Sequence, residues 1–460
     1  MLDQKIRKSD NQTIRRSDDL KCTVDPPDRP DSPTMITATM NDPKATVMPL
    51  LEASSWPNAA EALARVAELP VPGRRTEQWK YTPVAKLFNA AYSKPDGRVP
   101  VELPARLPFP ATRVVFVNGH FRPDLSDDLK ADKGVVIDSI SHHLSHGPLK
   151  ANYGRIAPIG DRLFTAMNAA APTDGLIILA VKGARTSKPV HVLRITAGNA
   201  SGEPVLIQPR DLIMLHEGAQ VELIDEHIAI GDTASALVNS VRECTVGDGA
   251  ELTLHLVQNE ANGPADIGLD AVEVAARGHF SADTVTLHGT LVRNDLSVVL
   301  AGAGAYAELN GAYLLDGNAH CDNHTYIGHD VPDCTSDELY KGIVADKATG
   351  VFNGKVFVKP DAQRTRAYQS NANILQSDDA RVFSKPELEI YADDVKCSHG
   401  CTIGRLDEQA IFYLRSRGVS EPEARRMMAH AFITDVLERI ANADWRMYLE
   451  GMIDAKLEAL

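Results

Sequence analysis

Aromatic residues make up only 5% of this 460-residue chain, so its core must rest on Val, Ile, Leu and Ala. No apolar run approaches the ~18–20 residues that span a bilayer, which excludes a transmembrane helix and leaves no membrane partner to expect. Cysteine is sparse: Cys22, Cys244, Cys321, Cys334, Cys397 and Cys401 include no C-x-x-C pair. That excludes a disulfide scaffold, a zinc ribbon and a thioredoxin-type motif, and reads as reduced thiols in a cytoplasmic protein. Basic charge is also short, with 48 Lys and Arg against 62 Asp and Glu, a net −14. Such a surface repels phosphate backbones, so nucleic acid is not an expected partner.

Enzyme signatures are missing too. There is no G-x-S-x-G, no H-E-x-x-H, and no G-x-G-x-x-G between a strand and a helix. Asp393 and Asp394 are adjacent and would face opposite sides of a strand. Gly350 to Lys355 imitates a phosphate loop, but only three residues separate its glycines and Val356 follows the lysine. The chain is therefore not expected to be an enzyme, and any ATP chemistry must come from another chain.

Four textures follow one another. Residues 1–48 are polar and rich in Pro and Asp, and are expected to be a disordered leader without a secretory signal. Residues 49–172 are mixed and are expected to be largely helical, with a helix over 53–68 and a short one capped by Thr76 and carrying Trp79. Inside this part, Val114 to Phe121 reads as a hairpin turning at Asn118-Gly119. Residues 173–403 hold short strand-like runs such as VELIDEHIAI and AELTLHLVQ, punctuated by Gly, Asn and Asp, with no amphipathic helix between them. A sandwich, a barrel and a solenoid all remain open for this stretch, because no strict repeat appears. Residues 404–460 predict three helices. Gly418 stands at a C′ position, Ser420-Glu421-Pro422-Glu423 forms a capping box, and Met428, Phe432, Val436 and Ile440 form one stripe.

Cys397-Ser398-His399-Gly400-Cys401 carries the most suggestive chemistry, since thiolates and imidazole bind borderline and soft metals. In a strand, positions 397, 399 and 401 share a face but stand ~6.5–7 Å apart per step. Donors around one metal with bonds of ~2.0–2.3 Å must lie within ~4 Å of each other. Either Gly400 breaks the strand, or another strand or chain supplies the remaining ligands. A second cluster, His320, Asp322 and His324, would share one strand face with Cys321 pointing away. Several histidines on one face are more often solvated than ligating.

Three stretches carry a family resemblance: RTEQWKYTP (75–83), GVFNGKVFVKPDAQRTRAYQSNANILQSDDA (350–380) and KPELEIYADDVKCSHGCTIGRLDEQAIFYLRSRG (385–418). With ARRMMAHAF (424–432), they make the chain resemble the SufB/SufD family of iron–sulfur cluster assembly subunits, on the SufD side of it. The resemblance implies a mainly β protein: a right-handed parallel β-helix core, an N-terminal helical region and a C-terminal helical bundle. It implies a non-catalytic subunit of a SufBCD complex, paired with a SufB-like subunit through the β-helix and with a SufC-like ATPase through the C-terminal helices. His399 matches the family histidine associated with cluster formation at that interface, and Cys397 is the second candidate ligand. No cofactor is expected to be held stably by this chain alone; iron or a nascent cluster would visit the complex. Cys401 stands where a small residue is expected in the family. A SufB-type scaffold is the alternative, disfavoured because Ser398-His399-Gly400 departs from the acidic segment expected there. A stand-alone β-helix enzyme acting on carbohydrate is the more distant one.

Overall fold

The computed structural model describes residues 42–52, 54–145, 147–199 and 201–460. Most of it is a parallel β-solenoid of about seven turns. From Gln220 onward, consecutive strands alternate between two ten-stranded sheets, and each pairs in parallel with the strand one turn away. Gln220–Ala229, Glu251–Asn259, His279–His288, Tyr306–Leu315, Thr335–Val344, Thr365–Leu375 and Val395–Gly404 stack in one sheet. Leu237–Val246, Ala265–Val274, Leu291–Leu300, His320–His329, Thr349–Val358 and Arg381–Ile390 stack in the other.

Strand alternation sends every second side chain into the lumen, where like positions of successive turns stack. Val221, Leu252, Phe280 and Ala307 form one such row, in register and buried. The lumen is tight enough to dictate glycine. A Cβ on Gly311 would come within 2.1 Å of the Tyr340 ring one turn on, and one on Gly342 within 2.1 Å of Tyr313. The turn length varies from 26 residues (Ala265 to Leu291) to 32 (Thr349 to Arg381), so no strict period marks the sequence.

The N-terminal part departs from the largely helical expectation for 49–172. Its longest helix, Ala59–Glu68, begins later than residue 53 and packs on the wholly buried Leu163–Ala170. Thr112–Val117 pairs in parallel with Val190–Thr196, and Val135–Ser139 pairs antiparallel with Leu176–Ala180. The sheets therefore begin well before residue 173. The hairpin turns at Asn118 and Gly119, φ +47° and +77°, as its sequence requires.

Residues 42–48, expected within the disordered leader, are ordered; residues 1–41 of that leader lie outside the described residues. The reason is Lys44, whose ammonium donates to Val66 O (2.8 Å), Ala67 O (2.8 Å) and Leu69 O (2.9 Å). Those carbonyls belong to the end of Ala59–Glu68, where helix geometry leaves acceptors free and a cation is favoured.

Three C-terminal helices, Glu408–Ser416, Glu421–Leu437 and Ala443–Ala459, match the predicted bundle. Gly418 has φ +93°, and Ser420 Oγ accepts from Glu423 N. The last two helices fold back along the outer face of the first sheet, where Ile433, Val436, Trp445 and Leu449 bury Ile224, Val257, Val285 and Ile343. Among the described residues, no helix is long and apolar enough to cross a membrane.

Candidate functional site

The solenoid ends without a cap. Val395–Gly404 pairs only with Thr365–Leu375, and Arg381–Ile390 only with Thr349–Val358. Each outer edge presents a ten-residue row of backbone donors and acceptors, the feature that recruits another strand. Pro386 removes one donor from the Arg381–Ile390 edge. The Val395–Gly404 edge contains no proline, and its N–H groups are all present.

Cys397 and His399 sit inside this last strand. Gly400 does not break it, so the first way of closing a metal site within one chain fails. Cys397, His399 and Cys401 pair in register with Ala367, Gln369 and Asn371, all buried in the lumen. The three thus occupy the inward row of the terminal turn. With no further turn to cover them, His399 and Cys401 are exposed and Cys397 is half-buried. Burial pushes the Cys397 thiol above its ordinary value, which favours the protonated form until a metal or a cation arrives. Leu388, Ile390, Val395 and Cys397 make an apolar floor against Val356, Val358 and Ala367. The spacing along the strand leaves one chain short of a complete ligand set.

Behind His399 the lumen becomes polar. Its row continues inward through Gln369 and Glu338 before meeting Leu309, Ala282 and Leu254. Gln369 Nε2 donates to Glu338 Oε2 at 2.7 Å. Burial pushes the Glu338 carboxyl up to about 7. Beside them Asn373 Nδ2 donates to Asn371 Oδ1 (2.7 Å), as does Ser384 Oγ (2.7 Å), while the Tyr313 hydroxyl donates to Asn373 Oδ1. Sequence reading missed this layer. Its signal was the alternation in Gln369-Ser370-Asn371-Ala372-Asn373, three amides on one strand face.

The second cluster has a different job. His320, Asp322 and His324 do share the outer face, and Cys321 is buried in the lumen. Asp322 accepts from Arg293 Nη1 (2.7 Å) and from Thr82 Oγ1, and meets His324 Nε2 at 3.0 Å. The Arg293 guanidinium lies 3.8 Å from the Trp79 ring centre, and Tyr81 stacks on Phe383 at 4.3 Å. The Arg75–Pro83 segment is thereby clasped onto the solenoid, and Arg293 rather than a metal takes the Asp322 charge. The glycines of the phosphate-loop imitation also serve packing, since a Cβ on Gly354 would lie 2.3 Å from Gln369 Nε2.

Comparison with known proteins agrees with this architecture. Residues 195–432 match the family described as SUF system FeS cluster assembly, SufBD core domain. Residues 56–192 match the SufBD protein N-terminal region. The iron–sulfur cluster assembly protein SufD of Escherichia coli (strain K12) is 30% identical over 413 residues, 87% of this chain and 93% of that protein. An iron–sulfur cluster assembly SufBD family protein of Synechocystis is 30% identical over 85% of this chain and 88% of its own length. The SufD protein of Bacillus subtilis is 25% identical over 73% of this chain and 76% of its own length. With its two-sheet solenoid, its clasped N-terminal segment and both family regions matched in order, the chain belongs to the SufBD family of iron–sulfur cluster assembly proteins.

Proposed function

We propose that this chain is the SufD-type, non-catalytic subunit of a complex with a SufB-like scaffold and a SufC-like ATPase, acting in the cytoplasm. The observation that carries the reading is the open end of the solenoid. Two unpaired ten-residue edges there flank an inward row that holds Cys397 and His399. A SufB-like solenoid adding its strands to these edges would continue the sheets. It would also bring donors of its own to His399 and Cys397, completing a ligand set that this strand cannot complete alone. Iron and sulfide are cargo at such a shared site.

The C-terminal helices offer the second docking surface. Phe412 and Met447 are 71% and 66% exposed, although the helices that carry them are anchored to the solenoid, the first through Ile411 against Ile374. Large apolar side chains held out on a fixed support suit a protein partner, and the SufC-like ATPase is the one proposed. Its hydrolysis cycle would rearrange the pair and open the shared edge to iron and sulfur.

The test is His399→Ala in the complex co-expressed with its SufB-like and SufC-like partners. Iron and acid-labile sulfide per complex should fall severalfold while the partners are still retained. Unchanged iron and sulfide in an intact complex would remove His399 from the site. Within the family, a SufB-type role remains disfavoured by Ser398-His399-Gly400.

A further inference from the structure

Two guanidiniums and four carboxylates are sealed in the solenoid near its N-terminal end. Arg194 is held by Asp211 (2.5 Å) and Asp225 (2.7 Å). Arg242 pairs with Asp225, with Asp211 at 3.4 Å and with Asp270 at the margin, also 3.4 Å. These contacts account for the charges of Asp211 and Asp225. Glu260 and Asp266, 2% and 1% exposed, have no guanidinium or ammonium partner among the described residues.

Their remaining contacts leave ligand atoms free. Glu260 Oε1 accepts from Thr196 Oγ1 at 3.2 Å. Asp266 Oδ2 accepts from Gln258 Nε2 at 3.2 Å and faces His227 Nδ1 at 3.2 Å. Glu260 Oε2, Asp266 Oδ1 and His227 Nε2 are buried without a hydrogen-bond partner, and the last stands 3.6 Å from Asp225 Oδ1. One donor atom from each of the three residues lies within 4.8 Å of the others. Donors around one metal with bonds of ~2.0–2.2 Å lie within ~4 Å of each other, so the set closes on a contraction of up to about 0.8 Å. A cavity of about 20 Å³ adjoins His227, Glu260 and Thr196. That is room for one ion or one water and for nothing larger. Arg194 borders the same cavity with its Nη1 unpaired, which makes a lone water the competing occupant.

We propose that His227, Glu260 and Asp266 bind one divalent first-row cation inside the solenoid. With the ion bound, two carboxylates and a neutral imidazole balance its charge of +2. One nitrogen and two oxygen donors suit Mn(II), Fe(II) or Zn(II) and not a thiolate-seeking ion. The placement gives the ion a structural task. His227 comes from one sheet, Asp266 from the other, and Glu260 directly follows the strand Glu251–Asn259, so a single ion would pin both sheets across neighbouring turns. This site lies several turns from His399 and stands whether or not the shared-edge reading holds.

The experiment uses the full chain, stripped with chelator and titrated with Mn(II), which favours oxygen and nitrogen donors over Cys397 and Cys401. Bound Mn(II) is counted by loss of the free-ion paramagnetic resonance signal after gel filtration, and melting is followed in parallel. The wild-type chain should retain one equivalent and melt higher with it. Glu260→Gln should bind at least tenfold more weakly, with no metal-dependent rise in melting temperature. Should that variant not fold, His227→Gln takes its place. A wild-type chain that retains no Mn(II), or a folded variant that retains it as well as wild type, overturns the proposal. So does Glu260→Gln melting above the chelated wild type while Mn(II) leaves both unchanged, the pattern of a proton beside a water.

Discussion

Single side chains decide where order begins and where the lumen turns polar. Lys44, 5% exposed, ties the leader to three carbonyls at the end of Ala59–Glu68. Lys44→Met keeps much of the stem and removes the donors, and should lower unfolding free energy by about 2 kcal/mol in denaturant titration. Glu338 carries a pH signature. Its folded value near 7 lies above the ordinary carboxyl value of 4.5, so the folded chain holds this proton more tightly than the unfolded one. Stability should therefore decline as pH rises from 4.5 to 7 and level off above. Glu338→Gln should gain on wild type by up to about 3 kcal/mol across that window, read by unfolding at several pH values. A constant difference between the two would mean that Glu338 ionises as freely folded as unfolded. The equal-face placement of Cys397 and His399 was legible in the sequence, because strand alternation is local. Their position within an uncapped edge was not, because it depends on where residues 405–407 lead the chain.

At the scale of elements, the C-terminal helices are held by a buried histidine as well as by apolar packing. His255 lies between Asp283 (2.8 Å) and Glu222 (3.2 Å). Asn442 caps the last helix through Trp445 N and also donates to Glu222 Oε1 at 2.7 Å. Although burial opposes its charge, the two carboxylates push His255 up to about 9. Because this value is raised above 6.5, the stabilisation is complete below about pH 6.5 and is lost as pH climbs through 9. Amide exchange in Ala443–Ala459 should quicken over that window, with a loss of up to about 3 kcal/mol in protection, and His255→Leu should flatten the dependence. The helices themselves were readable from Gly418, Ser420 and the apolar stripes. Their partner face was not, since Ile224, Val257 and Val285 each look like an ordinary outward strand residue. The N-terminal strands were under-read for a related reason: Thr112–Val117 gains its place only by pairing with Val190–Thr196, some 78 residues away by register.

For the whole molecule, the solenoid was hidden by its own irregularity. Turns of 26 to 32 residues blur any period, and lumen positions such as Asp225, Gln258 and Asn371 break the apolar rows that would have exposed it. Family motifs pointed to the architecture where periodicity could not. The same stacking that makes the fold extendable leaves it unfinished at one end, and a partner that finishes it is the centre of this account. Amide hydrogen exchange across the two terminal strands tests this most directly, comparing the chain alone with the chain bound to the proposed SufB-like partner. Exchange over Val395–Gly404 and Arg381–Ile390 should slow strongly in the complex, as free edge amides acquire strand partners. A stable complex that leaves both strands exchanging as they do in the free chain would contradict the account.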